Sequence, residues 1–246
     1  MKTKKLLLVC ALLVCTFFNL QAQHKFYVGS EFGLGIEFQN KQDKYNLAQS
    51  VNRFGASPYG LTLRYERDDK YAFEIGMIKE PLMQDVRINN VDFKSTFEAG
   101  DRTTSYVRVP LRLNVKALNF GERTALHVYG GGSYFHYPLD TGFRYGTWSG
   151  DFEKDAMAWR KDHYVLEKSA WLLEGGTSLS YRLSNKFTVD ANVNYLHGFD
   201  NLTQNTIKYK PYGGDVQQSE VYSNGTKLNF TIGVRYKVME LRKLNE

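Results

Sequence analysis

The sequence predicts an all-β fold, an eight-stranded antiparallel up-and-down barrel that crosses a membrane with its strands. Three observations predict it. Apolar and polar residues alternate with period two through eight successive segments, most of those segments run ten residues or more, and the connections between them alternate short and long. The composition agrees. With 42% apolar residues, 24% charged residues and a mean hydropathy of -0.45 over 246 residues, there is no room for a bundle of apolar helices of roughly 20 residues each. An aromatic content of 15% argues equally against disorder.

Residues 1–22 read as a secretory signal rather than as part of the fold. Lys2, Lys4 and Lys5 precede an apolar run over 6–18, and Leu20-Gln21-Ala22 offers a small residue before a cut. Both cysteines, Cys10 and Cys15, fall inside this segment, so the remaining chain has neither disulfides nor thiolate metal sites. Losing three lysines and no acid takes Lys+Arg from 32 to 29 against 26 Asp+Glu, and the net charge from +6 to +3. No basic cluster of the kind that binds nucleic acid is left. The expected organisation is a signal at 1–22, a barrel over 23–238 and a short tail over 239–246.

The eight segments follow in order. Residues 24–38 place Phe26, Val28, Phe32, Leu34, Ile36 and Phe38 on one parity and Lys25, Glu31, Glu37 and three glycines on the other. Residues 58–66 set Tyr59, Leu61, Leu63 and Tyr65 against Arg64 and Glu66, and 70–79 set Tyr71, Phe73, Ile75 and Met77 against Glu74. In 105–116, Val107, Val109, Leu111, Leu113 and Val115 oppose Arg108, Pro110, Arg112 and Asn114. Residues 125–137 also read as a strand, although Gly130-Gly131-Gly132 leaves its facing open. Residues 169–183, 186–198 and 226–238 repeat the pattern, with Trp171, Leu179, Val193, Ile232 and Val234 against Glu174, Arg182, Asp190, Lys227 and Arg235.

Alternation alone also suits a soluble barrel that hides its apolar parity. Strand length separates the two cases, because soluble strands usually have about five or six residues and a tilted membrane strand needs roughly 9–11. Aromatics on the apolar parity collect at segment ends: Phe26, Tyr65, Tyr71, Tyr181, Phe187 and Tyr236 at one, Phe38, Tyr59, Trp171, Tyr195 and Phe230 at the other. An apolar ring with a polar tip suits the two bilayer interfaces. Connections near 67–69, 117–124 and 184–185 are short, whereas 39–57, 80–104, 138–168 and 199–225 are long and polar, as in outer-membrane barrels.

The assembled pattern resembles the small outer-membrane β-barrel families, in particular the PorT-like group. Tyr106-Val107-Arg108-Val109-Pro110-Leu111-Arg112-Leu113 is similar to a strand motif of that group, and Val128-Tyr129-Gly130-Gly131-Gly132 to the glycine-rich strand that follows it. Thr231-Ile232-Gly233-Val234-Arg235-Tyr236-Lys237-Val238 resembles the terminal-strand signal read by barrel-assembly machinery. The resemblance implies an outer-membrane location, contact with outer-membrane lipid and with the assembly machinery during biogenesis, and an envelope or secretion-complex partner.

With the apolar parity toward lipid, the polar parity fills the lumen. Glu31, Glu37, Glu66, Glu74, Glu174 and Asp190 then meet Arg64, Arg108, Arg112, Arg182, Lys227, Arg235 and Lys237. Charges withdrawn from water must pair, and an eight-stranded barrel is only wide enough for side chains to fill. The expectation is a plugged interior, with Glu37 near Lys227 and Glu31 near Arg235. The loop over 138–168 carries Phe143, Tyr145, Trp148, Phe152, Trp159 and Tyr164, a candidate contact surface because aromatics are enriched at binding hot spots.

Catalytic groups are not expected. The five histidines show no metal-ligand spacing, and no cofactor or metal site is anticipated. Two sets come near a lipid hydrolase or acyltransferase constellation: His197 with Asp200, and Ser133 with His136. Both read as rim or loop residues, and Asn224-Gly225 reads as a turn. A lipid-modifying enzyme on a small barrel and a secreted lipocalin-like binding protein stay open as alternatives.

Overall fold

The computed structural model describes residues 23–42, 48–50, 58–82, 86–88, 97–98, 104–138, 141–155 and 158–241. The expected signal at 1–22 and the last residues of the expected tail, 242–246, lie outside them. Among the described residues there are fourteen strands: β1 His24–Gln42, β2 Ala48–Ser50, β3 Tyr59–Arg67, β4 Tyr71–Leu82, β5 Val86–Ile88, β6 Phe97–Glu98 and β7 Thr104–Phe120. There follow β8 Thr124–His136, β9 Gly142–Ser149, β10 Ala158–Val165, β11 Ser169–Arg182, β12 Phe187–Gly198, β13 Thr203–Lys210 and β14 Gln217–Leu241.

Eight of these strands close a barrel. The order β1-β3-β4-β7-β8-β11-β12-β14 is antiparallel throughout, and β14 pairs back onto β1 over the full length of the first strand. Because the pleat has period two, pairing each segment in phase sends all apolar rows to one side. That side is the outside: Leu61 is 61% exposed and Ile232 49%, whereas Arg112 and Arg235 retain 4% and 6%. A water-soluble protein would have the reverse arrangement. The lipid-facing rows end in rings in contact, Phe26 with Tyr65 and Phe187 with Tyr236 at the short-turn end, and Tyr134 with Trp171 at the other.

The facing of β8, open from sequence, is now defined. Its odd positions His127, Tyr129, Ser133 and Phe135 are buried, and Val128 and Gly130 point out. Pro110 in β7 has no amide hydrogen to donate, and there the β4–β7 ladder is interrupted between Ile75↔Leu111 and Ile78↔Arg108. The β3–β4 turn places Asp68 and Asp69 at φ values of 53° and 56°, with the Lys70 amide donating to the Arg67 carbonyl at 3.1 Å. Two successive positive φ angles make a type I′ turn, whose twist matches the flanking strands.

Two expectations about the long connections need correcting. Residues 138–168 and 199–225 are not simple loops, since they supply β9, β10 and β13, which add to the outer end of β14 in the order β14-β13-β10-β9. Asn224-Gly225 is not a hairpin turn either. It sits in the middle of β14, where Glu37 pairs with Lys227 and Gln39 with Ser223, leaving Phe38 opposite three residues. The Asn-Gly pair tolerates the positive φ of Gly225 (77°), which bulges need as much as hairpins do. At the other end β14 runs to Leu241, so Met239–Leu241 belongs to the wall rather than to a tail. Among the described residues the short β2, β5 and β6 pair with one another in a separate three-stranded sheet.

Candidate functional site

The lumen is built in levels from inward positions of neighbouring strands. Nearest the long-loop end, Lys227 of β14 lies 3.4 Å from Glu80 and 3.9 Å from Glu37, and its Nζ donates to the Pro81 carbonyl at 3.1 Å. Arg108, with no exposed surface, joins Glu80 at 2.7 Å to Glu174 at 2.9 Å and donates to Ser133 Oγ.

At the next level Arg112 holds three carboxylates: Glu174 at 2.7 Å, Glu74 at 2.8 Å and Glu31 at 3.1 Å. Arg112 and Glu174 stand on β7 and β11, two strands apart, with Gly131 of β8 in register between them. The missing side chain lets the pair meet across the intervening strand. A Cβ at Gly131 would lie 1.9 Å from the Leu111 carbonyl oxygen. Asn194 Nδ2 adds a bond to Glu174 Oε1 at 2.7 Å.

Deeper toward the short turns, Arg235 grips Asp190 through Nε at 2.5 Å and Nη2 at 2.6 Å, with Ser180 Oγ donating to the same carboxylate at 2.6 Å. Arg64 lies 3.6 Å from Glu66 and 3.8 Å from Glu74, and donates to Asn114 Oδ1. Each acid is thus within reach of a guanidinium or ammonium, which offsets the cost of taking it out of water. The cavity left among Arg64, Glu74, Arg112 and Asp190 is only about 20 Å³, room for about one water.

Of the residues expected in this network, Glu31, Glu37, Arg64, Glu74, Arg108, Arg112, Glu174, Asp190, Lys227 and Arg235 are buried, and Arg182 is exposed at the short-turn mouth. Glu37 faces Lys227 in register. Glu31 turns to Arg112 instead of Arg235, because Arg235 stands opposite Gly29 and is taken by Asp190 of β12. Glu80 lies outside the expected network because 80–104 reads as a loop, although it continues the parity of Glu74 and Ile78 and is fully buried. Sequence reasoning also missed the outer seal, in which Tyr106, Phe135, Tyr137, Val165, Leu172 and Leu202 form one buried apolar cluster above Arg108.

Above the seal stands the outer sheet. Trp159 packs on Ile207 and Val221, so this member of the aromatic set turns into the packed face. Tyr164 is half-buried on β10, and the Phe152 carbonyl accepts Lys210 Nζ at 2.5 Å. Phe143, Tyr145 and Trp148 lie on β9 opposite Tyr164, His163 and Arg160, with their side chains outside the described set. Arg160 and Lys208 are exposed in register on the other face, and Tyr212 is 76% exposed in the following turn.

The two hydrolase-like sets do not assemble. Ser133 points inward to Glu174 at 2.5 Å, while His136 of the same strand points outward and contacts Ser169 Oγ at 3.1 Å. His197 packs between the rings of Tyr195 and Phe199. Among the described residues no group of three or more His, Cys, Asp and Glu is arranged to hold a metal.

No family model and no curated protein matches the chain. Solved outer-membrane proteins align along most of the chain. The structure of OprG from Pseudomonas aeruginosa superposes with a TM-score of 0.50 at 14% identity, over 88% of this chain and 96% of that one. A major outer membrane protein from Thermus thermophilus gives 0.46 at 12% identity, covering 87% and 99%. Outer Membrane Protein W of E. coli gives 0.41 at 16%, covering 87% and 97%. At such identities the likeness concerns the fold. Lipid-facing apolar rows, two aromatic rims and a closed ladder make this an integral β-barrel of the outer membrane.

Proposed function

We propose that the protein is a non-enzymatic scaffold of the outer membrane, a PorT-like barrel that holds a rigid platform outside the cell for an envelope or secretion-complex partner. One observation carries this reading. The outer sheet does not hang on flexible links; it grows from β14, the same strand that closes the barrel, and continues through β13 and β10 to β9. A platform so joined has the orientation of the barrel wall. The interior beneath it is filled with paired charge and capped by an apolar cluster, an arrangement that fills the barrel rather than opening a passage through it. The outer aromatics contribute through Tyr164 on β10 and the exposed Tyr212 in the turn after β13, with Arg160 exposed on β10; Tyr and Arg are favoured at contact surfaces.

The reading is tested by placing a photo-crosslinking residue at Tyr164, Lys208 or Tyr212 in intact cells, with Leu61 in the lipid belt as control. The expected result is one envelope protein, the same by mass spectrometry from at least two outer positions and absent from the control. Adducts confined to lipid or to the barrel itself at all three positions would overturn it.

A further inference from the structure

The lumen network leaves cations over. Inward parity on β7 and β11 continues past Asn114 and Ser180 to Lys116 and Arg182, and the β7–β8 turn contributes Arg123. Among the described residues none of these three has a carboxylate within ion-pairing distance, because the nearby acids are engaged elsewhere. Glu66 and Glu74 are held by Arg64, Asp190 by Arg235, and Asp69 by Lys25. The three side chains line one cavity of about 60 Å³ at the short-turn mouth, together with Glu66, Asp69, Glu122, His127 and Arg235. Of its acids only Glu122, on the exposed turn, has no cation of its own in the described set. Two guanidinium-bearing side chains and one ammonium-bearing side chain therefore line a polar hollow in which, among the described residues, Glu122 has no ion-pair partner, while the Lys116 charge also acts on Asp69.

We propose that this vestibule binds a small water-soluble oxyanion of the phosphate or phosphate-ester class, entering from the periplasm. Guanidinium forks match the paired oxygens of such an anion, and an ammonium adds a point charge without a geometric demand. The cavity holds a few waters, enough for one tetrahedral group. The ligand belongs to the aqueous side because the strands stand between the cavity and the bilayer, which keeps phospholipid headgroups away from Lys116 and Arg182. Partly enclosed walls focus the field of the three charges toward the opening.

Calorimetric titration of the folded protein in nanodiscs with inorganic phosphate, and with glycerol phosphate as the ester, tests this at constant ionic strength made up with chloride. The expected result is saturable binding at one site, weakened at least tenfold in a Lys116→Gln, Arg182→Gln double variant and not weakened by Glu122→Gln. Compact gel mobility of the unboiled variants verifies that the barrel is intact. Equal affinity in phosphatidylcholine and phosphatidylglycerol discs supports a soluble ligand; loss of phosphate binding in phosphatidylglycerol would make the headgroup the occupant and overturn the assignment. No saturable heat, or binding undiminished in the double variant, would overturn it as well.

Discussion

Arg112 is the residue on which most of the lumen depends, because one guanidinium serves carboxylates from β1, β4 and β11. Replacing it with alanine leaves Glu31, Glu74 and Glu174 facing one another without their shared cation. Breaking a buried pair by removing one partner typically costs about 3–5 kcal/mol. An Arg112→Ala variant should therefore unfold at clearly lower denaturant in detergent, read from the gel-mobility midpoint, while Arg160→Ala on the exposed outer sheet should leave that midpoint unchanged. At the short-turn rim, burial pushes the Asp69 carboxyl up, but the hydrogen bonds with Lys25 and Glu66 and the charges of Lys25 and Lys116 together outweigh this and hold it below the usual carboxylate range. A depressed carboxyl stabilises the folded form above its unfolded value and loses that contribution as pH falls through the folded one. The wild type should thus lose stability on acidification below about pH 4 more steeply than Asp69→Asn. Parallel acid titrations of the two proteins, followed by the same midpoint, check the sign. Because Asp69 is partly exposed, the difference is small.

At the level of elements, β14 carries two duties, and the bulge at Asn224-Gly225 separates them. Below it the strand closes the barrel against β1 and β12; above it the strand pairs with β13 and with the last residues of β1. The kink is stitched to β12, where Asn224 Nδ2 donates to the Gly198 carbonyl at 2.8 Å and the Gly198 amide donates to Thr226 Oγ1 at 3.2 Å. A side chain at Gly225 would meet Leu202 at 2.9 Å with the backbone already at positive φ. Gly225→Val should release the outer sheet while the barrel stays closed. Limited proteolysis of intact cells would then cut within 199–216 in the variant and not in the wild type, with unboiled mobility of the membrane fragment retained. The wall strands were legible because lipid on one side and packed charge on the other write a period of two into every segment. β9, β10 and β13 were not: on β10 and β13 the sheet is covered on part of both faces, and the residues buried there are largely polar. Lys161, Asp162 and His163, for example, are consecutive and all buried, which erases the alternation. Arg182 was misplaced for a related reason: parity gives the side a residue faces, but not how deep along the strand its counter-charge lies.

For the whole molecule, the question is whether anything passes. The lumen is closed twice by different physics. Its middle is crossed by Arg108, Arg112, Arg235 and their carboxylates, leaving a void of about 20 Å³, and its outer end is covered by the apolar cluster of Tyr106, Phe135, Tyr137, Val165, Leu172 and Leu202. An ion entering from the short-turn side would have to displace charge-assisted hydrogen bonds and then shed its water beneath an apolar lid, and desolvating a charge without a partner is costly. The two barriers are in series, so weakening one should not open a path. Planar-bilayer recordings should show no steady conductance for the wild type, and none for Arg108→Ala alone, in which the lid remains. Sustained current should require loss of both layers, for instance Arg108→Ala combined with Phe135→Ala and Leu172→Ala. A steady large conductance from the unmodified protein would mean that the paired side chains line a pore rather than fill it. The scaffold reading would then lose its physical basis, because transport would account for the inward charge just as well.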